Sequence, residues 1–144
     1  MSQTRTTALQ DTTVDVKIVL AGLWTAMLFV FAYVDIFGFF RADVIEGALA
    51  GEIPDLGFTI DQGFLLATTA YILVPSLMIV VSLMARSRVN RLANIVLGLV
   101  YAASVAVSMI GETWAYYLVG SIVEIVLLLG IARVAWTWPR RPAA

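Results

Sequence analysis

Among its 144 residues the chain has no cysteine and no histidine. Disulfides, thiol redox chemistry, zinc sites of the usual ligand types and histidine-ligated haem are thereby excluded. Charge is also scarce, at 13% of residues, where soluble domains carry about 25%. Nine basic residues against ten acidic ones leave a net charge of −1. Such a chain has no basic surface to displace counterions from phosphates, so nucleic acid is not an expected partner. Also missing are a Gly-rich phosphate loop, a Ser or Thr with a histidine base, and a carboxylate cluster spaced for a metal. No enzyme activity, no cofactor and no metal site are expected.

What fills the sequence instead is apolar surface. Hydrophobic residues make up 61% of the chain, and the mean hydropathy is +0.94. They fall into four blocks, each close to the ~20 residues that about 30 Å of hydrocarbon requires at 1.5 Å per residue. The expected fold is all-α, a four-helix transmembrane bundle in a lipid bilayer. Its spans lie at about 18–40, 64–84, 92–110 and 113–136, forming one membrane domain over 18–138 between cytoplasmic tails at 1–17 and 139–144. A cleavable signal peptide is the rival for the first block. That block is too long and too aromatic for an h-region of about 7–15 residues, and no small-residue cleavage site follows it.

The connections carry their own signals. Between the first two spans, Val44, Ile45, Ala48 and Leu49 sit at helical spacing, which predicts a short helix at the membrane surface ending at Gly51. Asp61 is placed to cap the second span. Pro75 within that span cannot donate to the Tyr71 carbonyl, which predicts a bend and a freed acceptor. The basic run from Arg86 to Arg91 reads as the turn before the third span, and its simplest meaning is topological.

Topology follows from the basic residues. With the N-terminus inside, Arg5, Lys17, Arg86, Arg88, Arg91, Arg133, Arg140 and Arg141 all fall on the cytoplasmic side, and Arg41 alone falls outside. The positive-inside rule therefore predicts both termini in the cytoplasm. Trp114, Tyr116 and Tyr117 at one end of the last span, and Trp136 and Trp138 at the other, read as interfacial anchors. The aromatics of the first span, from Trp24 to Phe40, cover all its faces and read as packing and lipid contact.

Two acids lie inside the spans, Asp35 in the first and Glu124 in the fourth. A charge at such depth costs roughly 2.5–3.5 kcal/mol even on the lenient insertion scale, so each needs a reason. Counted along straight helices, Asp35 lies about 7 Å deep and Glu124 about 16 Å. That separation predicts two polar layers, Asp35 level with Thr68, Thr69 and Ser104, and Glu124 nearer Tyr71 and Tyr101. Ser121 beside Glu124 and Asn94 in the third span complete the supporting polar set. Gly120 and Ser121 make the Glu124 face small, and Gly98, Ala102 and Ala106 form a matching stripe that suits the fourth span or a second protomer.

The functional reading is that Glu124, and Asp35 with it, binds a proton, a cation or a cationic substrate. The rival is packing, a carboxylic acid bonded to Tyr or Ser that fastens helices. The first reading makes the chain a small proton- or cation-coupled transporter, working as a homo-oligomer or with a membrane protein partner. The second makes it a non-catalytic accessory or structural membrane subunit.

The stretches LWTAMLFVFAYVDIF (23–37), NRLANIVLG (90–98) and YYLVGSIVEIVLLLGIARVAWTW (116–138) resemble an uncharacterised bacterial family of four-span membrane proteins, a domain of unknown function. Its marks here are Asp35, Asn90, Arg91, Asn94 and Glu124. The resemblance implies a four-span fold in the bacterial inner membrane and no particular activity.

Overall fold

The computed structural model describes residues 12–53 and 57–139. The expectations placed on Arg5, Arg140, Arg141 and most of both tails lie outside these residues. Among the described residues the chain forms five helices: α1 (Val16–Gly38), α2 (Ala42–Ala50), α3 (Gln62–Met84), α4 (Ser87–Ser108) and α5 (Ala115–Trp136). All but α2 are long and apolar enough to cross a membrane. The chain is thus all-helical, with the build of a multi-pass membrane protein.

Helix starts follow local chemistry. The Asp15 carboxylate accepts from the Lys17 N–H at 2.8 Å and opens α1. Asp61 accepts from the Phe64 N–H at 2.7 Å and opens α3, as its position suggests. The short α2 ends at Gly51 with φ of 74°, a left-handed turn that glycine adopts without a Cβ penalty. After it, Glu52 pairs with Thr59 in an isolated antiparallel bridge.

One boundary differs from expectation. The basic run is not a loop, because α4 begins at Ser87 and only Ala85 and Arg86 separate it from α3. Arginine is a good helix former and its long stem carries the charge out to water, so the helix continues past the edge of the apolar block. Polarity marks where hydrocarbon ends; it does not mark where the helix ends.

Basic side chains fasten this end of the bundle. The Lys17 ammonium donates to the carbonyls of Leu83 (3.3 Å) and Ala85 (2.9 Å), where α3 ends. The Arg91 guanidinium donates to the carbonyls of Ala135 (3.3 Å) and Trp136 (3.4 Å), where α5 ends. Both satisfy carbonyls that a helix C-terminus leaves without partners and lie at its negative pole. We call this the basic end of the bundle, and the opposite one, with Asp43, Glu46, Glu52, Asp61 and Glu112, the acidic end.

Helix α5 packs against both α1 and α4, and α1 also packs against α3. Helices α3 and α4 touch sparsely despite their tight turn. The core lies mainly toward the basic end, in Leu20, Trp24 and Met27 of α1, Met78 of α3, and Leu128 and Ile131 of α5. Small residues set the spacings. A Cβ on Gly98 would stand 3.0 Å from the Leu128 carbonyl oxygen, so the stripe on α4 serves contact with α5. Ala102 is buried with it, but Ala106 is exposed and takes no part. A Cβ on Gly120 would collide with the Val34 side chain, which brings α5 close to α1 beside Glu124.

Candidate functional site

Toward the acidic end the four long helices enclose a cavity of about 310 Å³ instead of a packed core. Its lining comes from Phe31, Val34 and Asp35 of α1, Tyr71 of α3, Ser104, Val105 and Ser108 of α4, and Tyr117, Ser121 and Glu124 of α5. Asp35 and Ser108 are exposed, whereas Ser121 and Glu124 are each only 2% exposed. The two acids therefore stand at the mouth and the floor of one cavity. The expectation of two separate polar layers is corrected. Counting along the axis gives their heights rightly as different, but it is blind to an empty volume that spans several turns.

The hydroxyls around this cavity are ordered by their own bonds. Pro75 frees the Tyr71 carbonyl, and the Tyr101 hydroxyl donates to it at 2.6 Å, so α4 repairs the defect that proline makes in α3. Ser104 donates to the Tyr101 carbonyl at 2.9 Å. Its only proton being spent there, the 2.6 Å bond between Tyr71 and Ser104 has the tyrosine as donor. Ser108 likewise donates to the Val105 carbonyl at 2.8 Å and accepts from Tyr117 at 3.0 Å.

The consequence is chemical. Tyr71, Ser104, Ser108 and Tyr117 have committed their hydroxyl protons, so what they have left to offer is oxygen lone pairs. Asp35 and Glu124 add carboxylates. Among the described residues, Glu124 makes no hydrogen bond, and its Oε1 is a buried polar atom without a partner. A lining of this kind favours a proton or a cation over an anion. It also differs from the packing alternative, which requires a bonded acid.

Not every expected member is here. Tyr71, Ser104 and Ser121 line the cavity, and Tyr101 stands behind it, against Pro75 and Phe31. Thr68 and Thr69 do not face Asp35; they are exposed and bond back to the Phe64 and Leu65 carbonyls of their own helix. Asn94 belongs to a different network. Its Oδ1 accepts from Trp24 Nε1 (2.7 Å) and Ser82 Oγ (3.3 Å), its Nδ2 donates to both oxygens of Asn90, and Asn90 Nδ2 donates to the Ser82 carbonyl at 2.6 Å. All four residues are wholly buried. Trp24 is therefore no lipid-facing aromatic, although Phe29 and Phe37 on the same helix are exposed.

Sequence reasoning also missed Phe31, Ser108 and Tyr117, having assigned Tyr117 to the interface as an anchor. Their signal was spacing: Ser104 and Ser108, and Tyr117, Ser121 and Glu124, recur every three or four residues on one face. It missed the acidic-end clamp as well. Arg41 pairs with Asp43 (2.6 Å) and Glu112 (2.9 Å) and lies 4.7 Å from the Trp114 ring centre. Burial pushes the Glu112 carboxyl up, but the N–H of Trp114, Arg41 and the N–H of Thr113 outweigh it and hold the group below the usual carboxylate range. Hydrogen bonding to Arg41 does the same for Asp43.

No curated protein and no solved structure matches the chain. The model of a family described as a family of unknown function (DUF6326) does, over residues 10–144. That span takes in all four long helices, Asp35, Glu124 and the buried asparagines, and the chain belongs to this family.

Proposed function

We propose that the chain binds a proton or a small cation at Glu124 and carries it across the bacterial cytoplasmic membrane, with both termini on the cytoplasmic side. The observation that carries this reading is the unpartnered Oε1 of Glu124, buried at the floor of a cavity in which Tyr71, Ser104, Ser108 and Tyr117 are left with oxygen acceptors to offer. A buried polar atom without a partner costs about 1–3 kcal/mol. Retaining one at the inner end of an open cavity suits a ligand that completes it. The distribution of Lys and Arg supports the orientation, and the cavity then faces outward. Toward the cytoplasm the path meets the closed Trp24, Ser82, Asn90 and Asn94 network, so passage requires that half to rearrange or a second copy to complete the route.

The test compares wild type with Glu124→Gln in proteoliposomes, reading dissipation of an imposed proton or sodium gradient alongside thermal stability. Wild type is expected to dissipate the gradient, and the variant to lose that flux by more than about tenfold, equivalent to 1.4 kcal/mol, with its stability kept. Equal flux from both would refute the proposal. Absent flux together with a large loss of stability in the variant would return the acid to a packing role in an accessory subunit.

A further inference from the structure

A second cavity, of about 530 Å³, opens at the basic end between the start of α4 and the end of α5. Ser87, Arg88 and Arg91 stand at its rim, Leu92 and Ile95 continue along α4, and Trp136 and Trp138 close the side from α5. The Arg91 guanidinium is already fixed, by two carbonyls and by the Trp136 ring with its centre 5.7 Å away. Two of its five N–H groups are spent in this way, and the others have no partner among the described residues. Arg88 makes no hydrogen bond among them either, and its side chain is exposed.

We infer that this cavity is a binding site for one anionic phospholipid, with the headgroup phosphate held by Arg88 and Arg91 and an acyl chain laid along Leu92 and Ile95. Three features favour a lipid over a soluble anion. The cavity changes character along its length, from two arginines and a serine to two aliphatic residues, and Ile95 lies about 10 Å deeper than Arg88 at 1.5 Å per residue. That is the polarity profile of a phospholipid entering a bilayer. The indoles of Trp136 and Trp138 stand where tryptophan prefers to be, at headgroup level. Arginine, with its fork of donors, suits a phosphate better than a point charge does. The site shares no residue with the cavity around Glu124, so it stands or falls independently of the transport proposal.

The experiment is native mass spectrometry of the full chain in mild detergent, incubated with equal amounts of phosphatidylglycerol and phosphatidylcholine of the same acyl composition. Wild type is expected to retain one phosphatidylglycerol in preference to phosphatidylcholine. Arg88→Gln is expected to reduce that retention about fivefold, the attraction of one basic residue near a charged lipid. Because Arg88 is exposed and unbonded, the variant keeps its fold, which circular dichroism checks. Arg86→Gln is the control, since Arg86 has the same charge two residues away but does not line the cavity; its retention is expected to match wild type. Equal retention of both lipids would overturn the inference. So would equal losses in Arg86→Gln and Arg88→Gln, which would reduce the effect to charge density, and so would displacement of the lipid by excess inorganic phosphate, which would make this a free-anion site.

Discussion

The two halves of the bundle treat buried polar groups in opposite ways. In the basic half, Trp24, Ser82, Asn90 and Asn94 are wholly buried and bonded to one another, and aliphatic residues pack around them. In the acidic half, the helices hold a cavity open, the Ser104 and Ser108 hydroxyl protons are turned back onto backbone carbonyls, and among the described residues one glutamate oxygen is left without a partner. A low dielectric makes a satisfied network strong and an unsatisfied group costly. The same physics has the basic half hold the fold and, under the function proposed above, leaves the acidic half to meet a ligand.

The most direct way to break this comparison is Asn94→Leu. The substitution strands Trp24 Nε1, Ser82 Oγ and Asn90 Oδ1 in a dry interior. A single interhelical bond in a membrane averages only about 0.6 kcal/mol, but several are lost at once and the groups left behind are buried. We expect a loss of about 2–3 kcal/mol, read by unfolding in detergent. A loss below about 0.5 kcal/mol, the size of an ordinary surface change, would mean that the network does not hold the fold.

A smaller effect tests the boundary between the halves. Tyr101→Phe removes the donor to the Tyr71 carbonyl that Pro75 leaves free, at an expected cost of about 1 kcal/mol. In a Pro75→Ala background the new backbone N–H at position 75 can take over that carbonyl. There the Tyr101→Phe cost is expected to fall to less than half, a coupling measured by a double-mutant cycle. Equal costs in both backgrounds would show that the tyrosine is not compensating for the proline.

How far the sequence foretells all this depends on the range of each interaction. The four long apolar helices, the short helix with Gly51 as its stop and the Asp61 cap were legible because they rest on local composition and on neighbours within a few residues. The freed carbonyl at Tyr71 was legible for the same reason. Asn94 and Trp24, 70 residues apart, were not, because a helical wheel shows that a face is buried without showing what it meets. The single cavity was hidden because depth counting treats the bundle as filled, and a void belongs to no residue. Arg41 and Glu112 gave a partial clue: the sequence isolates one cation at the acidic end, but nothing local marks Glu112, 71 residues on, as a partner for it.

The smallest effect concerns what holds the open half together. Packing is thin there, so the Arg41 clamp joins the end of α1 to the turn between α4 and α5 in its place. The folded protein keeps the Glu112 carboxyl below its usual range. The group therefore adds stability at pH values above its unfolded pKa of about 4.3, and that contribution is lost as the pH falls through the lower folded value. Asp43 shifts in the same direction, while Arg41 stays charged throughout. Acidification below about pH 4 should thus loosen the acidic end and leave unchanged the bonds from Lys17 and Arg91 to carbonyls at the basic end. Hydrogen exchange, corrected for the intrinsic effect of pH, should show protection falling at residues 38–42 and 109–116 by about fivefold or less, as befits a pair worth about 1 kcal/mol near the surface. Glu112→Gln should remove that pH dependence at residues 109–116 and leave at 38–42 only the share that Asp43 contributes. Equal loss of protection at the start of α4 would mean that the two ends of the bundle are not held by different means.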